Sequence, residues 1–442
     1  MPNHESQPTA LNIPTIDLPR VVIIGGGFAG LKLARNLNSN NVQTVLIDEN
    51  NYHTFQPLMY QVATAGLEPD SIAYPLRKTL KKKRRTHIRM TKVERVDCNN
   101  KKVHTTIGTI RYDHLVIATG AKTNYFGNKN IERYSMPMKS LTESLDLRSL
   151  ILQNFEKALT TTDEVEKDSY MNFVIVGGGP TGVELAGAFA ELKKHVLPKD
   201  YPDLDIRRMQ IHVIEAGPKL LGAMSAKSSI NAFNYLRKIG VNVWTETMVN
   251  DYDGDTVTTS KEVLQSKTLI WAAGVSGNIP NGISDEFIDR GRIVVDEFCQ
   301  VKGLDNVYAL GDVSYMKTQE NPAGLPMLAS VAQQQGEYLA KTIKDGLKNK
   351  PPKPFTYVDK GTMATVGRNL AVVDMGKIHF GGWFAWVTWL LVHLMLLVDF
   401  RSRLIVFVNW VWSYVNFDRG TRLIVRKFNK AGRKEKEEEI AV

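Results

Sequence analysis

The side chains best placed to do chemistry in this sequence flank two glycine-rich runs, each followed at a distance by a single acid. The first run is Gly25-Gly26-Gly27-Phe28-Ala29-Gly30, and Asp48 closes the later apolar stretch Val45-Leu46-Ile47. The second is Gly177-Gly178-Gly179-Pro180-Thr181-Gly182, and Glu215 closes Ile211-His212-Val213-Ile214. In such a run the first glycine permits a tight turn, the next lets backbone approach a pyrophosphate, and the last lets a helix pack close to a strand. The helix that follows offers unpaired N–H groups to phosphates, and the acid accepts hydrogen bonds from a ribose. Gly25, Gly27, Phe28, Ala29, Gly30 and Asp48 are therefore assigned to one dinucleotide, and Gly177, Gly179, Pro180, Thr181, Gly182 and Glu215 to another. A carboxylate at Glu215 repels a 2′-phosphate, so NADH is expected there rather than NADPH. The interval from Gly182 to Glu215 exceeds the ~20 residues usual for this motif; a turn-rich insertion from His195 to Met209 accounts for the excess.

These runs work only if a strand precedes them and a helix follows. Val21-Val22-Ile23-Ile24 and Phe173-Val174-Ile175-Val176 are short β-branched or aromatic runs without polar alternation, which reads as strands buried on both faces. Helix-like stretches follow, Leu31 to Leu37 and Val183 to Leu192, and Pro180 suits a first helical turn, where its missing N–H costs nothing. The fold class is thus α/β, with two Rossmann-like dinucleotide-binding units. The polar stretch Glu156 to Lys167 suits an exposed helix end or a connector, with the change of domain near it, and Gly346 to Lys353 (GLKNKPPK) marks a break before a C-terminal segment.

Composition narrows the partners. At 442 residues the chain has room for about three domains, and its hydrophobic fraction of 43% supports real cores. Its two cysteines, Cys98 and Cys299, form no CxxC pair, so within one chain neither a disulfide framework nor a four-thiolate metal site is expected. No other ligand set has metal-binding spacing, and no metal is expected. Met1 to Arg20 carries Glu5, Asp17 and several prolines but no apolar run, which argues against a secretory or transit segment and for a cytoplasmic enzyme part. The net charge of +10 suits nucleic acid, anionic lipid or acidic substrates; without aromatic interleaving or a recognisable fold signature, nucleic acid is set aside.

Three further fragments carry a resemblance. Leu115 to Gly120 runs a strand into a small turn ending Thr119-Gly120, Leu269 to Gly274 repeats the shape and ends Ala273-Gly274, and Val307 to Asp312 ends in a Gly-Asp pair. With the glycine runs, these resemble the two-dinucleotide flavin reductase superfamily over Pro19 to about Gly346. The resemblance implies non-covalent FAD in the N-terminal unit, NADH in an inserted unit, and Asp312 on the flavin's ribityl or phosphate side; capping of the following turn is the alternative for Asp312. It divides the chain into a first FAD part (18–145), an NADH domain (146–280), a second FAD part (281–346) and a C-terminal quinone-side and membrane-anchoring domain (347–442).

Within that superfamily the disulfide-reducing branch needs a redox cysteine pair that is lacking here, and both cysteines read as inert. The stretch Asn51 to Ala63 and the run Gly177 to Gly187 are similar to the type II NADH:quinone dehydrogenases, single-subunit respiratory enzymes that do not pump protons. The likeness places Gln56 among the flavin contacts. It also gives Glu184 a place between flavin and nicotinamide, delivering a proton or positioning the dinucleotide; the residues alone suggest a first-turn carboxylate complementing the helix dipole. Where family members show Ala-Gln-x-Ala-x-Gln at the quinone, this chain has Ala329-Ser330-Val331-Ala332-Gln333-Gln334. Ala329, Ser330, Gln333 and Gln334 are assigned to quinone, with a water on Ser330 in place of the lost amide and Gln334 catalytic. Tyr357 to Thr362 also matches, leaving Lys360 either as a partner of reduced flavin or quinol or as a surface lysine.

The C-terminal segment decides between a soluble and a membrane enzyme. Ile378 to Val398 lacks Lys, Arg, Asp and Glu, and five of the seven tryptophans fall in that stretch and in Leu404 to Phe417. In the latter, Asn409, Ser413 and Asn416 form one polar stripe opposite Val406, Val408, Trp410, Val411 and Val415. With Arg401, Arg403, Arg419, Arg422, Arg426 and Lys427 alongside, two amphipathic helices lying in one leaflet on anionic lipid are preferred to a spanning helix. The basic cluster Arg77 to Arg85 adds to the same attraction or is a solvated face. A homodimer would use the same apolar faces. The expectation is a type II NADH:quinone oxidoreductase, monotopic on the cytoplasmic face of the inner (plasma) membrane. The alternatives are a soluble NADH-dependent ferredoxin or rubredoxin reductase and, outside the enzymes, a nucleotide-binding membrane scaffold.

Overall fold

Strands buried on both faces take apolar residues at every position, and the two β-branched runs ahead of the glycine turns become the central strands of two parallel sheets. The computed structural model describes residues 11–37, 41–81, 85–417 and 420–429. Glu5, Arg419 and positions 82–84 of the basic cluster lie outside the described residues. The chain divides into two compact units. One comprises the chain up to His53, Tyr74–Lys122 and Val275–Asp359; the other comprises Thr54–Ala73, Thr123–Gly274 and the chain from Lys360 onward.

In the first unit five parallel strands lie in the order Val307–Ala309, His114–Ile117, Arg20–Ile24, Gln43–Asp48, Thr86–Met90. Val21, Val22, Ile23, Val45, Leu46, Ile47, Leu115, Val116 and Ile117 are fully buried. The helix Phe28–Asn36 follows the central strand, and the helix Ala329–Gly346 packs on it so closely that a Cβ at Gly336 would lie 2.5 Å from the Ala29 carbonyl oxygen.

The second unit repeats the arrangement. Its parallel strands lie in the order Met136–Pro137, Thr268–Trp271, Asn172–Val176, Gln210–Ile214, Asn242–Trp244. The helix Pro180–Glu191 takes the place that Phe28–Asn36 holds in the first unit, with Pro180 in its first turn. This unit adds an antiparallel sheet, Thr362–Gly367, Leu370–Met375 and Ile378–Gly381, followed by the helices Trp383–Leu396 and Phe400–Asn416.

The compact units differ from the expected division. Their boundaries fall after Lys122 and Gly274 rather than near 146 and 281, and Met136–Pro137 pairs in the second sheet. Of the two readings of the polar stretch Glu156 to Lys167, the helix end holds: it is the end of the helix Leu141–Thr160 and the start of Glu164–Met171. Of the segment from 347, residues up to Asp359 group with the first unit and Lys360 onward with the second. The charge-free run from Ile378 begins as a strand, leaving a 14-residue helix. At 1.5 Å per residue that helix reaches about 21 Å, against the roughly 30 Å of a bilayer's hydrocarbon core, and no described helix is long and apolar enough to cross a membrane.

Candidate functional site

Both glycine turns close in the same way. Gly25 and Gly177 take φ of 102° and 108°, and each donates its N–H, 2.8 Å away, to the last strand residue before the acid, Ile47 and Ile214. A side chain on either would strike the backbone of the neighbouring strand's end, Ala118 or Ala272. The carboxylates then hold the turns from the far side. Asp48 accepts from the Gly26 N–H at 2.6 Å and the Asn50 N–H at 2.7 Å, and Glu215 accepts from Gly178 at 2.6 Å and Gly217 at 2.7 Å. Burial raises the Asp48 pKa, and these backbone donors oppose the rise.

The remaining glycines separate packing from binding. A Cβ on Gly30 would lie 1.9 Å from the Gly25 carbonyl oxygen, and one on Gly182 would lie 1.9 Å from that of Gly177, so helix and turn meet at these two positions. At Gly27 and Gly179 a Cβ would meet no protein atom within 4 Å, and φ is an ordinary −67° and −72°. The fold itself makes no demand for glycine there. A ligand's phosphates at the helix start do, and both cradles fit a dinucleotide pyrophosphate on this ground.

In the first unit the turn residues Thr119 and Gly120 hold Asn278: Thr119 Oγ1 donates to its carbonyl at 2.5 Å and its N–H donates to Gly120 at 2.9 Å. Phe28 packs edge-on against His53, whose Nδ1 lies 3.0 Å from the Gly26 carbonyl and whose pKa burial lowers to about 4, keeping the ring neutral. Asp312 sits half-buried in the turn Gly311–Val313. Two residues that the sequence reading missed hold this turn. Gln335, fully buried, accepts the Gly311 N–H at 2.7 Å, and Arg292 donates to the Asp312 carbonyl at 3.1 Å and to Leu325 at 3.0 Å. The Gln335 Nε2 is buried with no partner among the described residues, as expected of a donor meant for a bound group.

The quinone assignments fall on the start of the helix Ala329–Gly346, where Ala329, Ser330, Gln333 and Gln334 are all half-buried. Ser330 Oγ lies 3.1 Å from the Tyr357 hydroxyl, so a phenol stands where a water was expected. The Gln334 amide is engaged at both ends by the Val358 backbone, at 2.9 and 3.0 Å, and so holds that segment. In the second unit Lys360 is exposed, Gln56 is exposed in the short turn Gln56–Leu58, and Thr181 is exposed in the first turn of its helix. Ala273 and Gly274 are half-buried, and Gly274, with φ 71°, lies under the Phe126 ring.

Glu184 is the fifth residue of its helix rather than a first-turn acid, and it is buried. Its Oε1 accepts from the Thr365 N–H at 3.3 Å and the Trp389 indole N–H at 3.2 Å. Burial outweighs both donors and pushes its pKa up to about 8, so the carboxyl holds its proton at neutral pH. It lines a cavity of about 480 Å³ together with Tyr60, Gln61, Trp389, Trp410 and Leu390. The Gln61 amide joins the walls, accepting from the Trp410 indole at 2.8 Å and donating to the Tyr60 hydroxyl at 2.9 Å. A Cβ on Gly187 would lie 1.9 Å from the Val366 carbonyl, which lets the helix carry Glu184 against the strand that holds it.

The C-terminal helices expose much of their apolar surface, and the expected polar stripe is divided, with Asn416 exposed and Val406 of the apolar face buried. Ser402 and Val406 are buried and Asn409 and Ser413 half-buried, whereas Phe400, Leu404, Phe407, Val408, Val411, Trp412 and Val415 are exposed. Phe384, Leu391 and Met395 of the preceding helix are exposed as well, Phe384 at 72%.

The family model "Pyridine nucleotide-disulphide oxidoreductase" matches residues 19–336, and "NDH2 C-terminal domain" matches 360–417. The type II NADH:quinone oxidoreductase Ndh of Mycobacterium tuberculosis is 35% identical over 92% of this chain and 91% of its own. This chain belongs to the type II NADH:quinone oxidoreductases. A member of that family is an FAD-dependent NADH dehydrogenase. The Staphylococcus saprophyticus type II enzyme is 29% identical over 79% of this chain and 88% of its own. In fold, the chain matches the NDH2 structure of Plasmodium falciparum in complex with NADH, with a TM-score of 0.83 at 22% identity over 92% of this chain and all of that one.

Proposed function

We propose that this type II enzyme oxidises NADH and reduces a membrane quinone without proton pumping, with FAD in the first cradle and NADH in the second. One observation carries the reading. Two acid-held glycine cradles of the same geometry occur in one chain, and the helix that opens the second also carries a buried, protonated carboxyl into an apolar cavity.

Bound FAD supplies the chemistry of accepting a hydride and yielding two electrons. The chain's own residues bind and orient. Gly27 and Gly179 admit the pyrophosphates; Asp48 and Glu215 fix the turns and face the riboses, Glu215 favouring a free 2′-hydroxyl. Asp312, held by Gln335 and Arg292 through its backbone turn, serves the flavin side. Glu184 keeps a proton at neutral pH in an apolar wall, the condition for protonating a quinone oxygen as charge develops on it. Ser330 with Tyr357, and Gln334 through Val358, shape the quinone side; Lys360, exposed, is the candidate partner for anionic quinol.

The exposed apolar faces of the helices Trp383–Leu396 and Phe400–Asn416 support membrane attachment on one leaflet, with exposed Arg401 toward anionic headgroups and the catalytic units on the cytoplasmic face of the inner membrane, whereas Arg422 and Arg426, expected at headgroups, pair instead with Asp200 and Asp146. A soluble ferredoxin-type reductase has no use for these faces.

The deciding experiment is anaerobic. NADH added to the detergent-solubilised yellow protein should bleach the flavin, and a quinone added next should restore the colour. Absence of bleaching rejects the NADH half, and bleaching without recovery rejects the quinone.

A further inference from the structure

The helix Pro180–Glu191 does not end in an ordinary cap; it widens into a π-helical turn, Leu192–Val196, that carries Lys193, Lys194 and His195 in succession. π-turns are rare and occur mostly at functional sites. This one lines a second cavity, of about 1090 Å³, whose walls hold five Lys or Arg side chains against two carboxylates. Both carboxylates are engaged: Asp205 by the Arg207 guanidinium at 2.7 and 2.9 Å, and Glu191 by the Arg368 N–H at 2.5 Å. The Lys193 ammonium donates to the Met209 carbonyl at 2.5 Å. Lys194 and Lys238, both exposed, have no carboxylate partner among the described residues.

Arg368 completes the cationic wall. Its guanidinium lies 3.8 Å from the Tyr414 ring centre and 4.0 Å from that of Phe417, and Phe417 stacks on His195 at 4.2 Å. One terminal nitrogen donates to the Tyr414 carbonyl; the other, Nη1, is buried with no partner among the described residues, a donor that an anionic acceptor would satisfy. Phe417 reaches this stack by ending its helix at φ 55° and ψ 22°, a left-handed conformation uncommon for a bulky side chain and of the kind found at ligand clamps. Arg368, Tyr414 and Phe417 also line the apolar cavity that holds Glu184, so one aromatic stack borders both spaces.

We propose that this basic cavity binds the phosphate of an anionic membrane lipid, with Lys194, Lys238 and Arg368 as its partners. The cations and the unpaired guanidinium N–H call for a phosphate. The lipid origin follows from the position beside exposed Val411, Trp412 and Val415 of the same helix, since basic pockets next to membrane-facing helices take anionic headgroups. Only this origin rests on the membrane reading above.

The test uses the flavin-loaded full chain in detergent, titrated with dihexanoyl phosphatidylglycerol, dihexanoyl phosphatidylcholine or inorganic phosphate and read by phosphorus NMR line broadening. The expected result is saturable binding of the glycerol lipid, one per chain, at least about tenfold tighter than either comparison ligand, as for several charge-assisted bonds to one phosphate beside an apolar wall. The double variant K194Q/K238Q should weaken it by about tenfold or more, while K302Q/K341Q, which removes the same charge at exposed positions outside the cavity, leaves it unchanged. Both variants should keep NADH-driven flavin bleaching. Non-saturable binding, equal weakening in both variants, or inorganic phosphate binding as tightly as the lipid would each overturn the proposal. Vesicle co-sedimentation of the wild type tests the membrane reading separately, and its failure alongside intact short-chain lipid binding would remove that reading and not this site.

Discussion

Replacing Glu184 by glutamine removes a titrating proton while keeping the side chain's shape and the oxygen that accepts from Thr365 and Trp389. Moving a carboxyl from its ordinary 4.5 to about 8 corresponds to about 5 kcal/mol between its protonation states, an upper bound. The sign follows from proton counting. Between pH 4.5 and about 8 the folded chain holds a proton at Glu184 that the unfolded chain has released. Wild-type stability therefore falls as pH rises through this window, by at most about 1.4 kcal/mol per pH unit, and the contribution is gone above it. Glu184→Gln has no such slope, so its stability relative to wild type should climb from about pH 5 to about pH 8 and then level off. Denaturant unfolding followed by tryptophan fluorescence at several pH values measures the difference. The kinetic counterpart is a loss of quinone reduction of about 100-fold or more in the variant, with NADH-driven bleaching nearly intact. In the wild type, quinone reduction should decline above about pH 8. A stability difference that stays flat across the window, or a rate that declines near 4.5 instead, would refute the buried-acid reasoning.

Gly27→Ala and Gly179→Ala should both fold, since a Cβ there meets no protein atom, but the first should emerge without flavin and the second yellow with a raised KM for NADH. Bound-flavin absorbance per chain and steady-state kinetics separate the two, and Gly30→Ala, with its 1.9 Å clash, should lose both fold and colour. Glu215→Ala removes an acceptor of two backbone N–H groups; at roughly 1.5–3 kcal/mol for a bond to a charged group, KM for NADH should rise about tenfold or more, with no gain for NADPH. Gln335→Leu leaves the Gly311 N–H without its acceptor, and FAD retained after dialysis should fall by about tenfold. Phe384→Glu with Trp412→Glu should abolish co-sedimentation with anionic vesicles and leave NADH bleaching unchanged, because both side chains face outward.

The two cradles were legible in the sequence because their determinants are local. A strand, a turn of fixed backbone shape, a helix start and an acid on the next strand all follow from residues close in sequence, and Gly25, Gly177, Asp48 and Glu215 stand where that logic put them. Glu184 was legible as a residue but not as a chemical state. Its partners Thr365 and Trp389 lie about 180 and 205 residues away in the chain, and nothing near Glu184 announces that it is buried. Gln335 was hidden among three consecutive glutamines, of which helical geometry turns one inward. The C-terminal helices were legible only as two-faced elements. A periodic pattern reports that a helix has two faces without saying which residues the protein covers. Here Ser402 and Val406 are buried, Asn409 and Ser413 half-buried, and Phe407, Val411, Val415 and Asn416 exposed, a surface rich in apolar side chains.

The state of Glu184 supports one chemical argument. A quinone that takes up two electrons develops negative charge on its oxygens, and in an apolar cavity that charge is costly unless protons arrive with it. An acid of ordinary pKa would already be ionised at neutral pH, and would repel the developing charge instead of neutralising it. Burial among Trp389, Leu390 and Trp410 gives Glu184 the opposite character, a proton held at neutral pH. The thiols show the same effect of burial with the opposite chemical outcome. Cys299 is fully buried and Cys98 partly so, and burial raises both pKa values, holding them as thiols where disulfide chemistry needs thiolates. Within a superfamily that includes disulfide reductases, these cysteines are unsuited to attack, and the side chain equipped to move a proton opens toward the apolar cavity.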